Sequence, residues 1–334
     1  MDLYWSQGGT ARGGGRPVHR DEVGFAPVST PTSIDLPDGV RRTTIRTERG
    51  RFAALEALPA SGVCEREAAL LVPGYTGSKE DFLATLDLLA DGGRRVVAID
   101  MRGQFETPGP GGPDGYSAAA LAADITAVVR ATGAMHLLGH SYGGLVTRQA
   151  VLTGRAAVGS LTLMSSGPAG LTGPRAAELR GMLAALGVRD GTVPGREQLR
   201  AGIAGLWRSR LEPQAVAAGV PGRIVAFLER RMLSNDPAGL VFMARHLLSA
   251  ADLTADLARL DRLPVLVLYG QDDNSWSPRA QEDMAVRLGA HRVCIPGAAH
   301  SPAVEAPATT ASALTRFWDA AEAGILAGAA TGPT

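Results

Sequence analysis

The sequence predicts an α/β fold: a doubly wound, mostly parallel sheet with an inserted helical cap. Three observations carry the prediction. Short apolar runs alternate with longer helical patterns. The runs are continuous rather than alternating, as strands covered on both faces require. The alternation breaks once, for about a hundred residues of helical pattern between LTLM and VLVLY, too long for one crossover. Strand, helix, strand in succession gives parallel neighbours joined by right-handed crossovers.

The elements follow in order. Residues 1–40 carry glycines at 8, 9, 13, 14 and 15 and prolines at 17, 27, 31 and 37, and read as an extended or mobile arm. Tyr4, Trp5 and Phe25 are its candidate anchors over a partner subunit or the active-site rim. Strands are expected at Arg51–Leu58, Ala68–Val72, Arg95–Ile99, Met135–Leu138, Leu161–Met164, Val265–Tyr269 and His291–Ile295. Helices are expected at Lys79–Ala90, Ala118–Ala131, Leu145–Thr153, Pro278–Leu288 and Ala308–Ala321. The body therefore comprises 41–166 and 250–325, the cap 167–249, and a flexible tail 326–334.

Composition limits the function. The 334 residues are 45% hydrophobic and 20% charged, and 33 basic residues balance 33 acidic ones. That balance gives no electrostatic footprint for nucleic acid or an anionic membrane. The start MDLYWSQGGTARGGG lacks the basic and apolar segments of a secretory signal, and no run approaches the roughly 18 apolar residues of a membrane helix. Cys64 and Cys294 lie far apart without metal-binding spacing. They are expected to be small buried hydrophobes in a cytoplasmic protein, with no disulfide and no metal site. A small-molecule substrate is the expected partner, with a homodimer left open.

The chemistry centres on Gly139-His140-Ser141-Tyr142-Gly143. This G-x-S-x-G follows an apolar strand and opens a helix, the context in which the pattern marks a nucleophile elbow. A serine on so sharp a turn brings neighbouring backbone into contact, so the residues two before and two after must be nearly free of side chain. The hydroxyl needs a base. His300, in IPGAAHSP after the last strand, is placed to supply it; His140 points elsewhere, and His19, His136 and His246 read as structural, with His291 a weak alternative. A carboxylate must then orient the imidazole. LYGQDDNSWSP offers Asp272 and Asp273, and the spacing from Gly270 favours Asp273.

Two amides complete the site: Tyr75, after Gly74 in VPGYTGSKEDF, and Tyr142, each able to donate to an oxyanion. GYTGSK lacks the glycine spacing of a phosphate loop, which leaves Lys79 as a solvated first-turn residue. In the cap, Phe242, Met243, Leu247 and Leu248 recur at helical spacing. Phe242 and Met243 are candidates to line an acyl pocket or to pack the cap onto the body; Trp276 is a candidate for the rim.

From Thr43 to about Ala323 the chain resembles the α/β-hydrolase superfamily, in particular its capped esterases and lipases. The resemblance rests on GHSYGG, VPGYTGSKEDF, IDMRG, LYGQDDNSWSP and GAAHSPAVEAP, in the family's order. It departs where many relatives have His-Gly in place of Pro73-Gly74, and where IDMRGQFET lacks a G-x-S ending. The resemblance implies cofactor-free acyl transfer through Ser141, with water activated by His300 releasing the acid. A carboxylic ester, thioester or lactone of a small to medium, mostly apolar substrate is the expected target. The alternatives are the same residues used for carbon–carbon hydrolysis, perhydrolysis or acyl transfer, and a non-catalytic receptor.

Overall fold

The computed structural model describes residues 29–153, 155–189 and 192–328. Chain order starts with an antiparallel hairpin, β1 (Val40–Thr47) and β2 (Gly50–Ala57). The sequence runs missed β1 because VRRTTIRT buries only Val40 and Ile45 and turns its arginines outward, as an exposed edge strand does. Next come β3 (Arg66–Val72), a 3-10 turn Lys79–Phe82, α1 (Leu83–Ala90), β4 (Arg94–Ile99), a 3-10 turn Pro113–Tyr116, α2 (Ala118–Thr132), β5 (His136–His140), α3 (Tyr142–Leu152) and β6 (Ser160–Met164).

A helical excursion follows: α4 (Gly173–Ala185), α5 (Arg196–Leu206), a π-helical turn Trp207–Leu211, α6 (Glu212–Ala217), α7 (Gly222–Ser234), α8 (Pro237–Ser249) and the short α9 (Thr254–Ala258). The chain returns through β7 (Val265–Gly270), α10 (Pro278–Leu288), β8 (His291–Ile295), α11 (Pro302–Glu305) and α12 (Pro307–Glu322), and the 3-10 turn Ile325–Gly328 closes it. Local signals set the ends. The Ser117 and Ser277 hydroxyls accept from the amides of Ala120 and Ala280, satisfying orphan donors at two N-termini. Gly133 and Gly289, with φ of 67° and 60°, end the same helices in the left-handed conformation glycine tolerates.

The sheet order is β1-β2-β4-β3-β5-β6-β7-β8, parallel from β4 onward. Alternate residues of one strand enter different cores: Leu70 and Val72 pack on one face of the sheet, Ala69 and Leu71 on the other. Two covered faces explain the uninterrupted apolar runs. Among the described residues no helix is long and apolar enough to cross a membrane.

Two expectations need revision, those for Lys79 and for the cysteines. Lys79 is not solvated: it is 1% exposed, and its Nζ lies 2.9 Å from Asp100, 3.1 Å from Glu80 and 2.8 Å from Glu106. Its backbone amide also donates to Asp100, so the turn after β3 is bolted to the end of β4. Cys64 and Cys294 are exposed free thiols; β8 is the sheet's outer strand and leaves Cys294 uncovered. Of the arm, Tyr4, Trp5 and Phe25 lie outside the described residues, and the described part touches α7 at Ser29 and Asp35. The Ser29 carbonyl accepts from Arg231 of α7 at 2.6 Å, and Asp35 pairs with Arg223. At the other end, Ile325–Gly328 of the expected tail and its approach form a turn with Leu326 packed on the core.

Candidate active site

GHSYGG lies at the C-terminal end of β5, where the loops after the neighbouring parallel strands converge, the usual binding edge of such a sheet. Ser141 adopts φ 54°, ψ −119°. A Cβ on Gly143 would stand 2.5 Å from the Pro73 carbonyl oxygen and 2.6 Å from that of Val72, and one on Gly139 would collide with the Gly143 carbonyl and the Thr147 hydroxyl. The glycines thus let β3, the elbow and α3 touch. Among the described residues, the other non-glycine positive φ values are Thr76, Phe105 and Ser165, which follow β3, β4 and β6. Backbone strain is concentrated at this one edge of the sheet, as at functional sites generally.

Ser141 and His300 meet across 159 residues: Ser141 Oγ is 2.9 Å from His300 Nε2. His300 Nδ1 is 3.0 Å from Asp273 Oδ1. A carboxylate only accepts, so Nδ1 carries the ring proton and Nε2 presents its lone pair to the serine hydroxyl. Asp273 itself is buried. Burial pushes its carboxyl up, but the His300 imidazole, the Ser275 amide and Gln281 hold it below the ordinary carboxylate value. Asp272 is exposed, and the carboxylate bonded to His300 Nδ1 is that of Asp273; the Asp272 amide donates to the Ala298 carbonyl. Gln281 came from no motif, although it lies within the helix expected over Pro278–Leu288.

His140 is turned away from the serine. Its Nε2–H donates to the His300 carbonyl at 2.7 Å, and the two rings lie 5.1 Å apart. Burial, with the charge of His300, pushes its pKa down to about 4, so it stays neutral and fixes the backbone that carries the base. His136 on β5 binds Ser160 of β6 and Glu322 of α12.

Tyr75 and Tyr142 flank Ser141. Gly74 faces the serine so closely that a Cβ there would sit 3.0 Å from Ser141 Cβ. Gln104 Nε2 donates to the Gly74 carbonyl at 2.8 Å, pinning the turn. Among the described residues, neither the Tyr75 nor the Tyr142 amide has an acceptor. Both phenols reach up to α8: Tyr75 OH donates to the Leu240 carbonyl at 2.9 Å, and Tyr142 OH lies 3.1 Å from His246 Nδ1.

Above Ser141 opens a cavity of about 130 Å³. Ser141, His140, His300, Gly74 and Tyr75 form its floor. Leu171, Leu179, Met182, Leu211, Met232 and Leu247, all from the excursion, form its apolar wall, and Ser29 of the arm borders it. Phe242, Met243 and Trp276 are not part of that lining. Met243 is buried in the helical core, and Phe242 packs beside it with Arg245 over its ring. The side of α8 that meets the cavity carries Leu247; helical spacing cannot tell a cavity from a core when a helix is buried on several sides. Trp276 fills the space before Gly167 and donates from Nε1 to the Ala169 carbonyl at 3.0 Å, so it braces the excursion's root. Leu179 and Met182 were legible as the apolar stripe of PRAAELRGMLAAL. Among the described residues no three His, Cys, Asp or Glu side chains are grouped to hold a metal ion.

Sheet, elbow and helical excursion define an α/β hydrolase. The chain belongs to the alpha/beta hydrolase family, whose sequence model matches residues 69–313. A thermophilic esterase from Thermogutta terrifontis is similar over 84% of this chain and 99% of its own, at 23% identity and a TM-score of 0.63. A hydrolase from Pseudomonas aeruginosa PA01 is similar over 83% and 98%, at 25% identity and a TM-score of 0.62. RutD of Variovorax paradoxus, named as a carbamate hydrolase, is 37% identical over 107 residues, which span 31% of this chain and 40% of that relative's length.

Proposed function

We propose that this hydrolase cleaves a carboxylic ester, thioester or lactone of a small to medium, mostly apolar substrate through an acyl-enzyme on Ser141. The observation that carries the reading is the unbroken run Ser141 Oγ, His300, Asp273, at 2.9 and 3.0 Å, under an apolar roof. As Ser141 Oγ attacks the carbonyl carbon, His300 Nε2 takes the hydroxyl proton. Asp273 remains ionised and stabilises the imidazolium. The oxyanion is met by the Tyr75 and Tyr142 amides, each worth about 3 to 4 kcal/mol in the transition state. His300 then gives its proton to the leaving alcohol or thiol, and a water repeats the sequence to release the acid.

In this reading the helices α4 to α8 act as the cap that selects the substrate, which is the only partner the chemistry needs. The free thiols fit a reducing, cytoplasmic setting.

The test is stoichiometric labelling of Ser141 by a fluorophosphonate, together with p-nitrophenyl ester turnover. Ser141→Ala and His300→Ala are each expected to lower kcat by about 10⁴-fold or more. Near-intact turnover in either variant overturns the assignment. Similarity to RutD favours one second reading, a carbamate as the scissile group. A matched ester and carbamate pair separates the two by their kcat/KM ratio.

A further inference from the structure

Helix α4 turns one face inward: Arg175, Ala176, Glu178, Leu179, Met182 and Leu183 are its enclosed positions, while Pro174, Ala177, Arg180 and Ala184 are exposed. Spacing of i, i+3, i+4, i+7 marks a face that should be apolar. Two of its members are charged, and both border the cavity beside Leu179 and Met182. Arg175 Nη1 lies 3.0 Å from Glu178 Oε2, and only 15% and 16% of the two side chains is exposed. Arg175 Nη2 donates to Asn274 Oδ1 at 3.1 Å, in the same loop as Asp273.

An ordinary i, i+3 pair of this type sits on the solvated side of a helix and is worth little. Placing one on the enclosed face costs desolvation. A rule broken locally in this way marks a functional position. Among the described residues, Nη1 and Nη2 each spend one of their N–H groups on a partner, and a guanidinium has five. Arg175 therefore keeps donors beyond those the described residues use, next to a carboxylate, which as a charged acceptor takes more than one hydrogen bond. The pair carries no net charge, so an anionic substrate group gains little from it.

We propose that Arg175 and Glu178 are specificity-determining residues that bind a neutral hydrogen-bonding group, a carboxamide or hydroxyl, on the part of the substrate remote from the scissile carbonyl. This rests on the serine reading above and deepens it. The substrate is apolar along Leu179 and Met182 and carries one polar end.

The probes are two alkyl p-nitrophenyl phosphonates of equal length, one chain ending in a carboxamide and the other in the isosteric isopropyl group. Labelling rates at Ser141 are compared within each protein, so a loss of folded enzyme cancels from the ratio. Wild type is expected to favour the carboxamide by about ten-fold or more, as for a hydrogen bond to a charged partner. In Arg175→Met and in Glu178→Gln the ratio is expected to fall at least five-fold. A wild-type ratio near one, or a ratio unchanged in both variants, overturns the inference and leaves the serine reading standing. No labelling by either probe overturns the serine reading itself, and this inference with it.

Discussion

The sheet edge that holds Ser141 and the helical excursion above it are built by opposite means. The elbow is local: two glycines, a strained serine and the strand before it define its shape within five residues, and its neighbours press on it through backbone. The excursion is held by distant contacts. Tyr142 meets His246 across 104 residues and Tyr75 meets the Leu240 carbonyl across 165. Its two stems are clasped by one buried side chain, Arg148 of α3, which donates to the carbonyls of Pro168 at 2.7 Å and Ala251 at 3.4 Å. The elbow tolerates almost no change of size, whereas the excursion can change lining without disturbing the reacting atoms. Chemistry and selectivity are thereby separable.

Breaking the floor should have the largest effect on stability. Lys79→Met leaves Asp100, Glu80 and Glu106 without their shared cation, two of them fully buried. The expected loss is roughly 3 to 5 kcal/mol, read as a lower urea midpoint for the whole protein.

Next is the pH response of the backbone that carries the base. His140 has a pKa near 4 in the fold against 6.5 when free. Between those values the unfolded chain binds a proton that the folded site excludes, so stability falls as pH drops through 6.5 toward 4. The full span is worth on the order of 3 kcal/mol. His140→Gln should flatten that slope in urea titrations; an unaltered slope would mean that His136, His246 and His291, also held down by burial, account for it all.

A smaller effect belongs to the stems. Arg148→Met strips partners from buried carbonyls, at about 1 to 3 kcal/mol. Hydrogen exchange should quicken first in α4 and α8, before the sheet; simultaneous quickening everywhere would contradict the separation of the two regions. The smallest effect is on selectivity. Leu179→Ala should lower kcat/KM for a medium-chain ester about ten-fold, while Phe242→Ala, away from the cavity, should change it by less than about three-fold. The reverse order would restore Phe242 to the pocket.

Much of the site was legible because its parts are punctuated by backbone demands: G-x-S-x-G, the loop after β7 and the loop after β8 each follow a continuous apolar strand. The reading failed where identity depends on what lies across space. Lys79 looked like a surface residue because its three carboxylates come from its own turn, from the end of β4 and from the loop beyond it. Phe242 and Met243 stayed open between pocket and packing because a helical stripe records burial, not the nature of the space it faces. β1 was missed because an edge strand with outward arginines has no continuous run.

By itself, the sequence determined the order of the strands from β2 to β8, the strained elbow and the residues that serve it, because strand burial and tight turns are local requirements written in apolar runs and glycines. The spacing from Gly270 favoured Asp273, and the fold turns it to His300; only the tertiary structure decided that His140 grips the base's carbonyl and which cap side chains overhang Ser141. Those outcomes depend on contacts between segments tens of residues apart or more, His140 and His300 being 160 residues apart, and no local preference encodes such a contact.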